Sequence, residues 1–135
     1  IEALSGPRQS HAMTTLVTLC WVALGGALGS VVRTLVGMAC TTRFPWATLV
    51  INVSGSLLIG WLMARVGSGE TATSASLRSL LIAGFCGGYT TFSTFSWQTL
   101  EQMQKGQWAG ALLNVLLSVG LSLIAVWVGF RLGRA

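Results

Sequence analysis

Four stretches without a charged side chain dominate this chain: Gln9 to Val32, Phe44 to Ala64 (21 residues), Ser79 to Leu100 (22) and Gly106 to Phe130 (25). A helix rises about 1.5 Å per residue, so about 20 residues cross a hydrocarbon core of roughly 30 Å. In that solvent each backbone polar group needs a partner inside the protein, which a helix supplies along its own length. The pattern predicts an all-α membrane protein with four transmembrane helices, over Thr14 to Ala39, Pro45 to Ala64, Leu77 to Leu100 and Trp108 to Phe130. Pro45 suits the first turn of the second helix, and Trp46, Trp108 and Trp127 fall where interfacial aromatics sit. Arg65 to Ser76 reads as a polar loop. Residues 1–12 read as a leader or appended extension, leaving 13–135 as one four-helix membrane domain.

Charged residues make up 8% of the 135, against about 25% in a soluble domain, so no length remains for a catalytic domain beside the spans. The chain is not expected to be an enzyme. The net charge of +5 comes from scattered residues, with no cluster that would follow a phosphate backbone, so no nucleic-acid partner is expected. Cys20, Cys40 and Cys86 are far apart and the single His11 lies in the leader, which leaves no zinc or iron–sulfur spacing. Glu2, Glu70 and Glu101 fall in the leader, a loop and a helix end, so no carboxylate sits deep in the membrane to bind a proton or an organic cation. Arg33 borders the first span, where it either snorkels to the interface or makes a vestibule electropositive.

With four spans, Arg8, Arg65, Arg78, Arg131 and Arg134 share one side and Arg33, Arg43 and Lys105 the other, a bias of five to three. Without the leader it is four to three. So small an excess permits insertion in both orientations, and hence an antiparallel dimer; a fixed topology under a weak bias is the other reading.

Gly25 and Gly29, Gly26 and Ser30, Ser56 and Gly60, Gly84 and Gly88, and Ser118 and Ser122 are i,i+4 pairs of small residues, as close helix packing requires. The third span departs from this structural pattern. Its run GFCGGYTTFSTFS, residues 84–96, puts three glycines, three threonines and two serines inside one span. Such a run lowers helix propensity step by step, which predicts a break near Gly87 to Thr90, with an unbroken, polar-faced packing helix as the other reading. Broken helices at membrane depth line cavities or offer carbonyls to ions. Phe92 and Phe95 share a face, with Thr91 beside Phe95. Their positive ring edges suit a small anion, and core packing is the alternative. Asn52 lies mid-way along the second span, to donate to an anion or to a neighbouring helix. Ser118 and Ser122 place hydroxyls on one stripe of the fourth helix, as a polar lining or as bonds back to the helix; Asn114, one turn earlier, has no evident role.

Three motifs, GGALGSVVR at 25–33, TLVINVSGSLLIG at 48–60 and GFCGGYTTFSTFS at 84–96, closely resemble those of the Fluc (CrcB) family of bacterial fluoride channels, and the resemblance spans Met13 to Ala135. It implies a passive, fluoride-selective channel in the bacterial inner (plasma) membrane, built as a dual-topology antiparallel homodimer with two pathways. It further implies that Asn52 is the pore amide and that Phe92 and Phe95 are the ring-edge pair. Thr91, Ser118 and Ser122 would join the fluoride pathway, with the two serines in a hydroxyl track. The backbone carbonyls of Gly87 and Thr90 from both subunits would hold a structural Na+. Gln98 departs from the family, in which an acidic residue often follows the TFS run. The rival readings are a small multidrug-type dual-topology transporter, disfavoured by the missing membrane carboxylate, and a structural membrane subunit, for which Asn52 and the break would have no purpose.

Overall fold

The computed structural model describes residues 7–40, 44–66 and 72–135. Among them every regular element is helical: α1 (Pro7–Ala39), α2 (Trp46–Val66), α3 (Ala72–Leu77), α4 (Gly87–Tyr89), α5 (Phe92–Gln104) and α6 (Trp108–Arg134), with a π-helical stretch, Arg78–Cys86, joining α3 to α4. Three helices are long and apolar enough to cross a membrane unbroken: Met13–Ala39 within α1, α2 and α6. The fourth expected span is divided. Its first half runs continuously from α3 through the π-helical stretch to α4, and its second half is α5. The proposed leader falls partly in α1, which is already helical at Pro7, and partly in residues 1–6, outside the described residues. The polar loop expected from Arg65 to Ser76 is shorter than the sequence suggested: Arg65 and Val66 belong to α2 and Ala72 to Ser76 to α3, and residues 67–71 lie outside the described residues.

Two tight seams hold the helices together. One joins α1 to the π-helical stretch and α4, the other α2 to α6. Glycines make both possible. A Cβ on Gly25 or Gly29 would run into the backbone carbonyl of Leu80 or Phe85, and one on Gly88 into that of Gly26. Gly60 meets the Val126 carbonyl in the same way, and Gly129 the Leu57 carbonyl. Backbones can approach this closely only where a side chain is missing, and that approach supplies the dispersion contacts which replace hydrophobic driving force in lipid. On α6 the buried residues Ala111, Asn114, Ser118, Ala125, Gly129 and Gly133 form one stripe. On α1 the large apolar side chains Leu16, Leu24, Leu28, Val31 and Leu35 are exposed, as a lipid-facing surface would have them.

The break sits slightly later than the sequence predicts. Gly87, Gly88 and Tyr89 remain helical, and the extended residues are Thr90 (φ −79°, ψ 158°) and Thr91 (φ −152°, ψ 111°). Gly88 is small because α1 passes against it, not because the helix ends there. The turn from α5 to α6 closes at Gly106, whose φ of 71° is the only positive value among the described residues; its N–H bonds the Met103 carbonyl at 3.0 Å.

Candidate functional site

The extended pair Thr90–Thr91 removes backbone hydrogen bonds, and the surrounding side chains replace them selectively. In an unbroken helix the Thr91 N–H would bond the Gly87 carbonyl. Instead it donates to Asn52 Oδ1 at 2.9 Å, while Asn52 Nδ2 donates to the Thr91 carbonyl at 3.2 Å. The Thr94 N–H would likewise bond the Thr90 carbonyl, but it donates to Thr91 Oγ1 at 3.2 Å, so Thr91 caps α5. Gly88 gains a replacement donor in Ser30 Oγ at 3.4 Å. The carbonyls of Gly87 and Thr90 are thus two whose helical donors have been diverted elsewhere. A second anchor lies one residue before the break, where Tyr89 Oη and Ser54 Oγ share a hydrogen bond of 2.9 Å.

Around the break lies an open groove of about 620 Å³. It is lined by residues from α2, the divided span and α6, among them Asn52, Gly87, Thr90, Thr91, Phe92, Phe95, Ser118 and Ser122. All eight residues singled out in the sequence meet in this one groove. Their surroundings differ. Phe95 is buried at 7% exposure, whereas Phe92, with its ring centroid 5.3 Å away, stands 76% exposed at the rim. Asn52 uses one N–H on the Thr91 carbonyl, and the residue lines the groove. Ser118 donates to the Asn114 side chain, Oδ1, at 3.3 Å rather than to the backbone of α6. Ser122 Oγ is buried with no hydrogen-bond partner. Among the described residues the lining contains no acidic side chain, and no group of His, Cys, Asp or Glu is placed to hold a metal.

A smaller cavity of about 320 Å³ lies on the other side of Thr91. Arg33, Thr48, Thr94 and Gln98 contribute to its wall, and Thr91 lines both cavities. Arg33 therefore belongs to a polar pocket next to the break. Gln98 adds a buried Oε1 without a partner.

A family model described as CrcB-like protein, Camphor Resistance (CrcB), matches residues 20–130. The chain belongs to this family. It is similar to a protein of Rhodospirillum rubrum named fluoride-specific ion channel FluC, 48% identical over 118 residues that make up 84% of this chain and 92% of that protein. A protein of the same name from Paramagnetospirillum magneticum is also 48% identical, covering 84% and 93%. One from Geobacter sulfurreducens is 42% identical, covering 88% and 98%. The region matched by the CrcB model contains both cavities' linings in full.

Some participants in the site are not evident from the sequence motifs. The Tyr89–Ser54 bond and the contact of Gly55 with Thr90 follow only from the packing of α2 on the divided span. Asn114, which had no evident role, is the most buried large polar side chain, at 1% exposure. Its position four residues before Ser118 was the available signal.

Proposed function

We propose that this CrcB-family chain is a passive fluoride channel, and that fluoride passes along the groove beside the broken span. The observation that carries this reading is the unpartnered Ser122 hydroxyl, buried in a groove that also holds the Phe95 ring and Asn52 and no acid. A buried donor left without a partner is unfavourable unless something else uses it. A small, strongly hydrated anion is a fitting occupant, because hydroxyl and amide hydrogens and ring edges can take over its water shell in turn. Arg33 raises the anion concentration in the outer cavity. Thr91, shared by both cavities, is the point of passage, with Asn52 beside it.

No energy coupling is required. Fluoride enters cells as neutral HF, dissociates in the more alkaline cytoplasm and is held there as the anion. An inside-negative potential then favours exit by about 2.3 kcal/mol per charge per 100 mV. The inner (plasma) membrane is where such a potential exists. A multidrug-type exporter would need an intramembrane carboxylate, and Glu101 is spent on an exposed ion pair with Lys105 at 2.8 Å at the end of α5.

The working unit in this reading is an antiparallel homodimer. Phe92 exposed at the rim of an open groove supports it, since a second copy would cover the ring and close the path. The small charge bias supports insertion both ways round. At the two-fold axis, the diverted carbonyls of Gly87 and Thr90 from two copies offer four oxygens. Their chemistry fits a hard monovalent cation, and Na+ would neutralise carbonyl dipoles there and join the subunits. The decisive experiment is fluoride efflux from proteoliposomes containing only this purified chain, read with a fluoride electrode. Efflux without chloride release is expected; fluoride retained in the presence of an ionophore that removes the counter-voltage refutes the reading.

A further inference from the structure

Behind the groove lies a hydrogen-bonded chain that the pathway does not use directly. Ser118 Oγ donates to Asn114 Oδ1 at 3.3 Å, Asn114 Nδ2 donates to Thr99 Oγ1 at 2.9 Å, and Thr99 Oγ1 donates to the Phe95 carbonyl at 2.8 Å. All three side chains are buried, with exposures of 6%, 1% and 7%. The three bonds run in one direction, from Ser118 to the Phe95 carbonyl. In this arrangement the Ser118 hydrogen is committed to Asn114, and Ser118 shows the groove only oxygen lone pairs. An anion arriving at Ser118 would therefore meet an acceptor.

An amide has two ends, and turning Asn114 over exchanges them. Thr99 then donates to Oδ1, Nδ2 donates to Ser118 Oγ, and the Ser118 hydrogen is released toward the groove. The Phe95 carbonyl can do without the Thr99 hydroxyl because it lies inside α5, where the helix ladder brings a donor. With an anion at Ser118 the reversed chain again has three bonds, and one of them is now charge-assisted and so roughly twice as strong. The link that must break first is the longest of the three. We propose that Asn114 is a positioning residue: it turns over when an anion reaches Ser118, so that Ser118 becomes a donor only while the anion is present. Ser122, which has no partner, needs no such device.

The inference rests on the fluoride-channel reading and makes predictions of the same sign at two positions, one of which a further substitution reverses. Thr99→Val keeps the shape but removes the outer partner. Without an anion the chain then retains only the Ser118–Asn114 bond, whereas the reversed chain with an anion retains two, so the balance moves toward the occupied state. The half-saturating fluoride concentration for efflux should fall. Asn114→Leu, with the same branched outline, removes the acceptor that holds the Ser118 hydrogen, so Ser118 becomes a ready donor as Ser122 is and that concentration should fall about tenfold, the effect of one hydrogen bond to a charged group. Adding Ser118→Ala to Asn114→Leu should undo that fall, because the released hydroxyl is then missing. Efflux from proteoliposomes is measured across a fluoride series and normalised to protein that elutes as folded by size exclusion. A role in packing alone predicts that both variants lose folded protein while half-saturation stays put, and that result overturns the proposal. If Asn114→Leu does not fold, Thr99→Val decides alone: a lowered half-saturation supports the turnover and an unchanged or raised one refutes it. Should the wild-type chain pass no fluoride, the channel reading itself fails; if it does while the variants match it, only the role of Asn114 fails.

Discussion

Replacing Asn52 separates its two roles, holding the break and meeting the anion. In Asn52→Leu the Thr91 N–H and carbonyl lose their partners at 2.9 and 3.2 Å together. Net worth is about 1 kcal/mol for an ordinary hydrogen bond, and about 1–3 kcal/mol is lost when a buried group is left unsatisfied. The open groove lets water reach one side, so the lower end of the range applies and the pair sums to about 2 kcal/mol. That figure corresponds to about a 30-fold increase in local opening. The Thr91 amide should exchange its hydrogen faster by this factor, measured by hydrogen–deuterium exchange in detergent, while amides in α6 stay unchanged. Asn52→Asp behaves differently. A carboxylate still accepts from the Thr91 N–H, more strongly than an amide does, but it has no hydrogen to give the Thr91 carbonyl and it repels an anion in the groove. Thr91 should therefore keep its protection in Asn52→Asp while fluoride efflux collapses, and lose it in Asn52→Leu. Equal exchange at Thr91 in wild type and Asn52→Leu would refute the idea that this side chain holds the break.

Phe92→Ile and Phe95→Ile preserve apolar bulk but remove the positive ring edge, so fluoride efflux should drop at least about tenfold with assembly intact; wild-type flux would make both rings packing residues only. Gly129→Ala should destabilise the α2–α6 seam by about 1–3 kcal/mol, seen as a lower melting temperature, because its methyl would overlap the Leu57 carbonyl, whereas Gly120→Ala, with open space around it, should melt like wild type. Exhaustive replacement of sodium by a large organic cation should weaken dimerisation and efflux, and sodium-22 should not accompany fluoride; stoichiometric co-flux would make sodium cargo. Single cysteines introduced into loops, in a background lacking Cys20, Cys40 and Cys86, should be labelled from one face of intact cells in about half of the copies, and labelling of all or none would exclude dual topology.

Most of the architecture was legible because membrane solvent imposes local rules. Charge-free stretches of membrane length had to become helices, and α1, α2 and α6 did: α2 and α6 end within four residues of the expected bounds, while α1 starts seven residues early, at Pro7. A polar side chain or a glycine–threonine run inside an apolar span has no local reason to be there, which is how the eight candidate residues stood out; that they line one groove is a result of the packing. The glycine pairs of α1 and the divided span were readable as close contacts, but their opposite number on α6, Gly129 against Leu57, was not, because spacing within one helix does not say which neighbour it meets.

Propensity alone put the break near Gly87 to Thr90, where glycines and threonines weaken the helix together. The tertiary structure moved it to Thr90 and Thr91, because Asn52, on another helix, competes successfully for the Thr91 N–H and carbonyl. Asn114 shows the same division. Its residue type indicated a group that must be satisfied in hydrocarbon, but only the packing of α5 on α6 brings Thr99 to one end of the amide and leaves Ser118 at the other. The sequence by itself determined which groups need partners, since that depends on each residue's own chemistry and on the solvent. Which partner each one finds was decided by contact between segments that are distant along the chain.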